Sequence, residues 1–281
     1  MTNEPVPTSP LRVAAAQVES VPGDLVANVA SAARSVTEAS ARDVRVVVLP
    51  ELFLPGYHPP TWADEGSCVV ADEDGNVEDE RLDPLRESAS GVSVVVVGAD
   101  VMAADGRRHL SSLVVWPDGS VVEAYGKQFL CGPHEQETFT AGESGAAIEV
   151  DGWRLALAIC YDGCFPEHAR AAAVDGALAY LCSAAYLAGS DHRRDLYYRA
   201  RALENGMFVV LADAVGGPAP WTFGGGSAVY DPEGRPLAQA VGGTPDLVVA
   251  ELDPALLTAT RSDHPMLADL LALRGGPAVA R

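Results

Sequence analysis

The chain has 281 residues, 48% of them hydrophobic, and carries a net charge of -20 from 39 Asp and Glu against 19 Lys and Arg. That length suits one large α/β domain rather than a small stapled one, and the acidic balance argues against a nucleic-acid partner, which requires a basic face. No apolar run approaches the roughly 18 residues that a membrane span needs.

Residues 1–10 are polar and proline-rich and read as a disordered leader, without the charged and apolar regions of a signal peptide. A first strand is predicted over 11–18, then a helix over 25–41 with Asp24 as its N-cap. Residues 44–50 form a buried strand ending at Glu51, followed by a loop over 52–62 rich in Pro, Gly and aromatics. A short helix is expected near 82–88 and another buried strand over 92–101. Residues 110–125 read as a hairpin around Pro117-Asp118-Gly119, with Lys127 directly after it and a loop over 128–142. A second hairpin, 146–159, delivers Cys160, and a helix follows to about 174. The strand 177–182, the helix 191–205 and the strand 207–212 come next. The triple glycine 224–226 lacks the strand–helix context of a phosphate loop and reads as a tight turn. Strands over 228–230, 236–240 and 247–252 precede a partly helical tail that is loose over 271–281. Alternating strands and helices imply βαβ units, and the interposed hairpins imply mixed sheets. No composition shift divides residues 11–270.

The five cysteines, Cys68, Cys131, Cys160, Cys164 and Cys182, are odd in number and irregularly spaced. They suggest neither a disulfide framework nor a zinc site, and they fit a reducing cytoplasm. Cys160 differs from the rest because it ends an apolar strand and opens a turn, where backbone N–H groups favour a thiolate. Glu51 also ends an apolar strand, a costly place for a carboxylate without a partner or a task. Lys127 stands at a third such point, with Glu135 and Glu137 in the loop behind it. Singly, these residues read as a buried thiol, an ion pair and solvated loop charges. Together they suit nucleophilic acyl transfer: a thiol, a carboxylate to take its proton, and an ammonium to stabilise charge on sulfur and on the tetrahedral oxyanion. The backbone N–H of Tyr161 would add to the oxyanion hole. His134 and His168 offer a competing Cys–His scheme, but both read more easily as loop or helix-surface residues.

Three motifs carry a family resemblance. They are Leu49-Pro50-Glu51-Leu52-Phe53-Leu54-Pro55-Gly56-Tyr57, Tyr125-Gly126-Lys127-Gln128-Phe129-Leu130 and Ile159-Cys160-Tyr161-Asp162-Gly163-Cys164-Phe165-Pro166-Glu167. With Arg201-Ala202-Leu203-Glu204-Asn205 and Asp231-Pro232-Glu233-Gly234 in support, the chain resembles the nitrilase superfamily of carbon–nitrogen hydrolases over residues 11–270. The resemblance implies an α/β fold, a four-layer α-β-β-α sandwich of two mixed sheets flanked by helices, associating as a homodimer or higher homo-oligomer through the helices after Cys160 and over 191–205. It implies a triad of Glu51 as general base, Lys127 as stabiliser and Cys160 as nucleophile. Glu135, favoured over Glu137 by its spacing to Phe139-Thr140-Ala141-Gly142, would position Lys127. Tyr57, Tyr161, Ala185 and Tyr186 would line the substrate pocket. No metal or organic cofactor is implied.

The departures narrow the chemistry. Tyr161-Asp162 follows the nucleophile where nitrilases carry Trp-Glu. Gly163 and Cys164 stand where arginine-clamped carbamoylases place two arginines, leaving Arg193 or Arg194 to hold any substrate carboxylate. Phe129 replaces a common His, and Asp213 a common Asn. The expected activity is hydrolysis of a small amide or N-carbamoyl substrate through a thioester. The alternatives are nitrile hydrolysis, and a non-catalytic or acyl-transferring relative, although no triad residue is lost.

Overall fold

The computed structural model describes residues 7–274. Residues 1–6 of the expected leader and 275–281 of the expected tail lie outside the described residues. The strands are short and rich in Val and Ala, as suits sheets buried on both faces. In chain order, β1 (Leu11–Gln17), β2 (Val46–Val48), β3 (Val69–Val70), β4 (Val94–Met102), β5 (Arg108–Val115) and β6 (Val121–Gly126) belong to a first sheet. A second sheet takes β7 (Ala146–Val150), β8 (Trp153–Ile159), β9 (Ala179–Ala184) and β10 (Phe208–Asp213). After the two-residue pair β11 (Val215–Gly216) and β12 (Phe223–Gly224), β13 (Ala228–Tyr230) and β14 (Pro236–Gln239) complete the second sheet, and β15 (Asp246–Leu252) returns to the first.

Both sheets are mixed. The first runs β15-β1-β2-β4-β5-β6, with β3 beside β4; β1, β2 and β4 are mutually parallel, and the hairpin β5–β6 and β15 are antiparallel additions. The second runs β14-β13-β10-β9-β8-β7, with β8, β9 and β10 parallel at its centre. One apolar cluster fills the space between the sheets, where Val46, Val48 and Val94 meet Leu155, Leu157, Leu181 and Val210.

The helices are α1 (Leu25–Ser40), α2 (Asp83–Ala89), α3 (Gly132–Thr138), α4 (Pro166–Val174), α5 (Asp191–Asn205), α6 (Pro254–Asp263) and α7 (Met266–Arg274). Asp24 caps α1 by accepting from the Ala27 amide at 3.0 Å, as its N-cap position predicts. Val29, Ala32 and Val36 of α1 cover the first sheet, and Ala169, Ala173, Tyr198 and Ala202 of α4 and α5 cover the second. The result is the four-layer α-β-β-α arrangement. Among the described residues, no helix is long and apolar enough to cross a membrane.

Two expectations change. The stretch 128–142 is not all loop, because α3 occupies its middle, starting at Gly132–Pro133, where proline suits a first helical turn. His168 is not on a helix surface; it is buried on the inner side of α4.

Candidate active site

The carboxyl ends of the parallel strands open toward one edge of the sandwich, the usual place for a site in sheets of this kind. Glu51 follows β2, Lys127 follows β6, Cys160 follows β8, Ala185 follows β9, and Asp213 ends β10. The two sheets are stitched together here by the Glu51 amide donating to the Ala184 carbonyl at 3.4 Å. Gly98 lies so close to the Pro50–Leu52 backbone that a side chain there would displace the turn carrying Glu51.

Lys127 is fully buried and acts as the hub. Its Nζ donates to Glu51 Oε1 at 2.5 Å and to Glu135 Oε1 and Oε2 at 2.9 and 2.8 Å. Glu135 is held in turn by the Tyr57 hydroxyl at 2.6 Å and the Cys131 amide at 2.7 Å. It projects from α3, so the helix that replaces the expected loop is what aims this carboxylate at the lysine. Glu137 is exposed and takes no part. Burial pulls the Lys127 ammonium down, but the facing Glu51 and Glu135 carboxylates hold it well above the ordinary lysine value. Burial pushes Glu51 up to about 7 against the pull of Lys127. Its second oxygen, Oε2, is buried without a hydrogen-bond partner, and the carboxylate faces the Cys160 thiol.

Cys160 sits at φ +42°, a left-handed conformation rare for a residue with a side chain. The turn Cys160–Cys164 that follows β8 holds it there. Asp162 is the anchor of that turn: its carboxylate accepts from the Ile159 amide, the Phe129 amide and the Tyr125 hydroxyl at 2.7–2.9 Å. The Tyr125 hydroxyl also meets His168 Nε2 at 2.9 Å, and His168 Nδ1 meets the Tyr180 hydroxyl at 2.8 Å. His168 is therefore a brace under the nucleophile turn rather than a member of a Cys–His pair. The Tyr198 hydroxyl donates to the Cys160 carbonyl at 2.9 Å, and Arg201 donates to the carbonyls of Gly163 and Cys164. Gly163 is packed against the Tyr198 ring, which a Cβ would approach to 2.6 Å. That contact gives a physical reason for the missing arginine at this position. Phe129, in place of the common His, stacks on Phe165 with ring centroids 4.0 Å apart.

The thiol departs from one expectation. Burial, reinforced by the Glu51 carboxylate, pushes Cys160 well above the ordinary thiol range, and the pull of Lys127 and of the Ala185 amide does not offset it. The sulfur faces the Glu51 carboxylate, which can take its proton.

A cleft of about 350 Å³ opens above these groups. Glu51, Glu135, Cys160 and the expected pocket residues Tyr57, Tyr161, Ala185 and Tyr186 all line it, whereas Lys127 lies beneath. Arg193, one of the two arginines considered for a substrate carboxylate, and His134 also line it, together with Trp221, Phe223 and Tyr197, which were not assigned to the pocket from sequence. A pattern argument could have flagged the aromatic cluster Trp221-Thr222-Phe223 beside the glycine turn. Arg194 is unsuited to bind a substrate, because it is buried against Asp191, Asp195, Asp213 and the Gly225 carbonyl. Among the described residues, no group of three or more His, Cys, Asp or Glu side chains is arranged to hold a metal ion.

Comparison with known proteins shows the family. Residues 12–262 match the carbon-nitrogen hydrolase family, and the chain belongs to it. It is 30% identical over 269 residues to an (R)-stereoselective amidase of Pseudomonas sp, covering 95% of this chain and 93% of that one. It is also 30% identical over 235 residues to a 2-oxoglutaramate amidase of Bacillus subtilis, covering 83% and 87%. An amidase of Nesterenkonia sp. AN1, solved in complex with butyramide, superposes with a TM-score of 0.75 at 29% identity, over 90% of this chain and 95% of that one. In another structure of that amidase, acrylamide has added to the active-site cysteine. The chain is accordingly a hydrolase of non-peptide C–N bonds, of the amidase type, with an active-site cysteine.

Proposed function

We propose that the chain hydrolyses a small amide through a thioester on Cys160. The observation that carries this reading is the buried Glu51–Lys127–Glu135 cluster, with the Glu51 carboxylate beside the thiol and one of its oxygens without a protein partner. Glu51 takes the thiol proton as Sγ attacks the amide carbon. The developing oxyanion is met by Lys127 and by a backbone N–H beside the nucleophile, that of Tyr161. Collapse breaks the C–N bond, and the proton held by Glu51 leaves with the amine or ammonia. Water then enters and Glu51 accepts its proton. The S–C bond breaks, and the acid is released as the proton returns to sulfur. Glu135 keeps Lys127 in place and charged throughout.

A pocket near the lower end of the usual range for ligand sites suits a small acyl group. The butyramide complex of the Nesterenkonia amidase supports short aliphatic amides as first substrates to test. We further propose that residues 11–270 form one catalytic domain, that it acts as a homodimer or larger homo-oligomer, and that five free cysteines suit the cytoplasm. An ammonia-release screen over aliphatic amides, ω-amides, N-carbamoyl compounds and nitriles, run on wild type and Cys160→Ala, tests the assignment. Release from amides by the wild type and none by the variant is the expected result; equal release by both would overturn it.

A further inference from the structure

Among the described residues, the cleft lining carries one arginine, besides the lysine buried beneath it. Arg193, in the first turn of α5, lines the same cavity as Cys160 and Glu51. Its guanidinium has no ion-pair partner among the described residues, and its one side-chain hydrogen bond is a long 3.5 Å contact to Ser190 Oγ, another residue of the cleft wall. The contrast with the next residue is sharp, since Arg194 is buried and contacts three carboxylates. Arg193 also stands close enough to Cys164, in the nucleophile turn, for its charge to be felt there.

The distribution of charge says where an anion can sit. At the cleft floor two carboxylates face one ammonium, so an anionic group is repelled there and only the neutral amide end suits the reacting position. The wall between floor and mouth is aromatic, from Tyr57, Phe223, Trp221 and Tyr197. The exposed Arg193 guanidinium in the same lining presents several donors in a fork that matches a carboxylate. We infer that Arg193 reads a carboxylate at the distal end of the substrate, so that the preferred substrates are short amides carrying a second, anionic end. This inference rests on the amidase reading above and specifies its substrate class.

The test compares two isosteric amides, succinamate and butyramide, which differ by a carboxylate in place of a methyl group. Ammonia release gives kcat/KM for each with wild type, Arg193→Met, Arg193→Lys and Arg193→Glu. The wild type is expected to favour succinamate by about tenfold or more, where tenfold corresponds to about 1.4 kcal/mol, and the preference weakens as salt rises because the site is open to solvent. In Arg193→Met the succinamate-to-butyramide ratio collapses, chiefly through KM. Arg193→Lys keeps part of it, and Arg193→Glu shifts preference toward the cationic 4-aminobutyramide. Turnover of both amides with the same ratio in wild type and Arg193→Met would overturn the role of Arg193 and leave the amidase reading standing. Turnover of neither amide by the wild type would overturn both.

Discussion

Two buried charge clusters lie side by side at the edge of the sandwich, and they are built differently. In the first, Lys127 meets Glu51 and Glu135, and Glu51 keeps one oxygen without a partner. In the second, Asp213 meets the Tyr186 amide with one oxygen at 2.9 Å and Arg194 with the other at 3.5 Å, and Arg194 is further held by Asp191, Asp195 and the Gly225 carbonyl. An unpaired oxygen in a dry site is a group held ready for a proton, whereas a cluster with every atom engaged holds backbone in place. What Asp213 holds is the Ala185–Tyr186 segment, whose Ala185 amide faces the sulfur. The first cluster is therefore read as chemical and the second as structural.

Substitutions break this comparison most directly. Cys160→Ala is expected to abolish ammonia release with the melting temperature unchanged. Glu51→Gln removes the proton acceptor and is expected to lower kcat by about 10²–10⁴-fold, the range for loss of a general base, again with the fold retained. Asp213→Ala leaves the Tyr186 amide without its acceptor, while Arg194 keeps Asp191, Asp195 and the Gly225 carbonyl. A loss of about 1–3 kcal/mol in unfolding free energy, the range for a buried donor left unsatisfied, is expected from denaturant titration. Asp213→Asn keeps an acceptor for the Tyr186 amide and should change kcat by only a few fold. If Asp213→Asn cost as much activity as Glu51→Gln at unchanged stability, the second cluster would belong to the chemistry.

The pH profile sharpens the same contrast. Glu51 is raised by burial from 4.5 to about 7, so the basic form exists above that pH and is lost below it. The expected kcat/KM falls about tenfold per unit on the acid side of 7, as for a single required base. Asp213 is raised by burial to about 8 despite Tyr186 and Arg194, but it accepts no proton in the reaction, and its neutralisation should leave a smaller mark. The acid limb should vanish in Glu51→Gln and persist in Asp213→Asn; a limb unchanged in Glu51→Gln would remove Glu51 from its role as base.

The chemical cluster was legible in the sequence because charge at the end of an apolar strand is expensive and conspicuous. Glu51 and Cys160 each follow a run of buried apolar residues and Lys127 follows the strand β6, while the choice of Glu135 over Glu137 came from the family pattern before Phe139-Thr140-Ala141-Gly142. The alternation of strands and helices was legible too, from Val-rich runs and the Asp24 cap, and the four layers followed from the family resemblance. The braces were not. His168 sits among alanines on α4, where a small, weakly amphipathic helix gives no sign of which side is buried. Asp162 was visible as part of a motif, but its three donors come from β8, the residue after Gln128 and Tyr125, which only the fold brings together. The seven residues of α3 are too few for periodicity to register, and Gly132–Pro133 reads equally as loop. The aromatic part of the cleft wall escaped because Tyr197 lies on α5 and Trp221 and Phe223 lie in the distant β11–β12 segment, and only the fold brings them together beside Arg193.

Cysteine labelling carries the smallest expected effect and probes how the first cluster works. A strand-end thiol near backbone N–H groups suggests a resident thiolate, which any alkylating or disulfide reagent would find first. Burial and the Glu51 carboxylate push the Cys160 thiol up, and partial burial also raises Cys131, which is exposed and lines the same cleft. A small reagent shaped like an amide, such as 2-chloroacetamide, places its carbonyl oxygen where Lys127 and the Tyr161 amide can receive it and so recruits Glu51 to deprotonate the sulfur. A charged aromatic disulfide gains nothing from that machinery. Mass mapping after limited reaction at neutral pH is expected to find 2-chloroacetamide on Cys160 and the aromatic disulfide on Cys131. Selective reaction of both reagents at Cys160 would mean that the thiolate is already present in the resting cleft, and that Glu51 holds the proton before any substrate arrives.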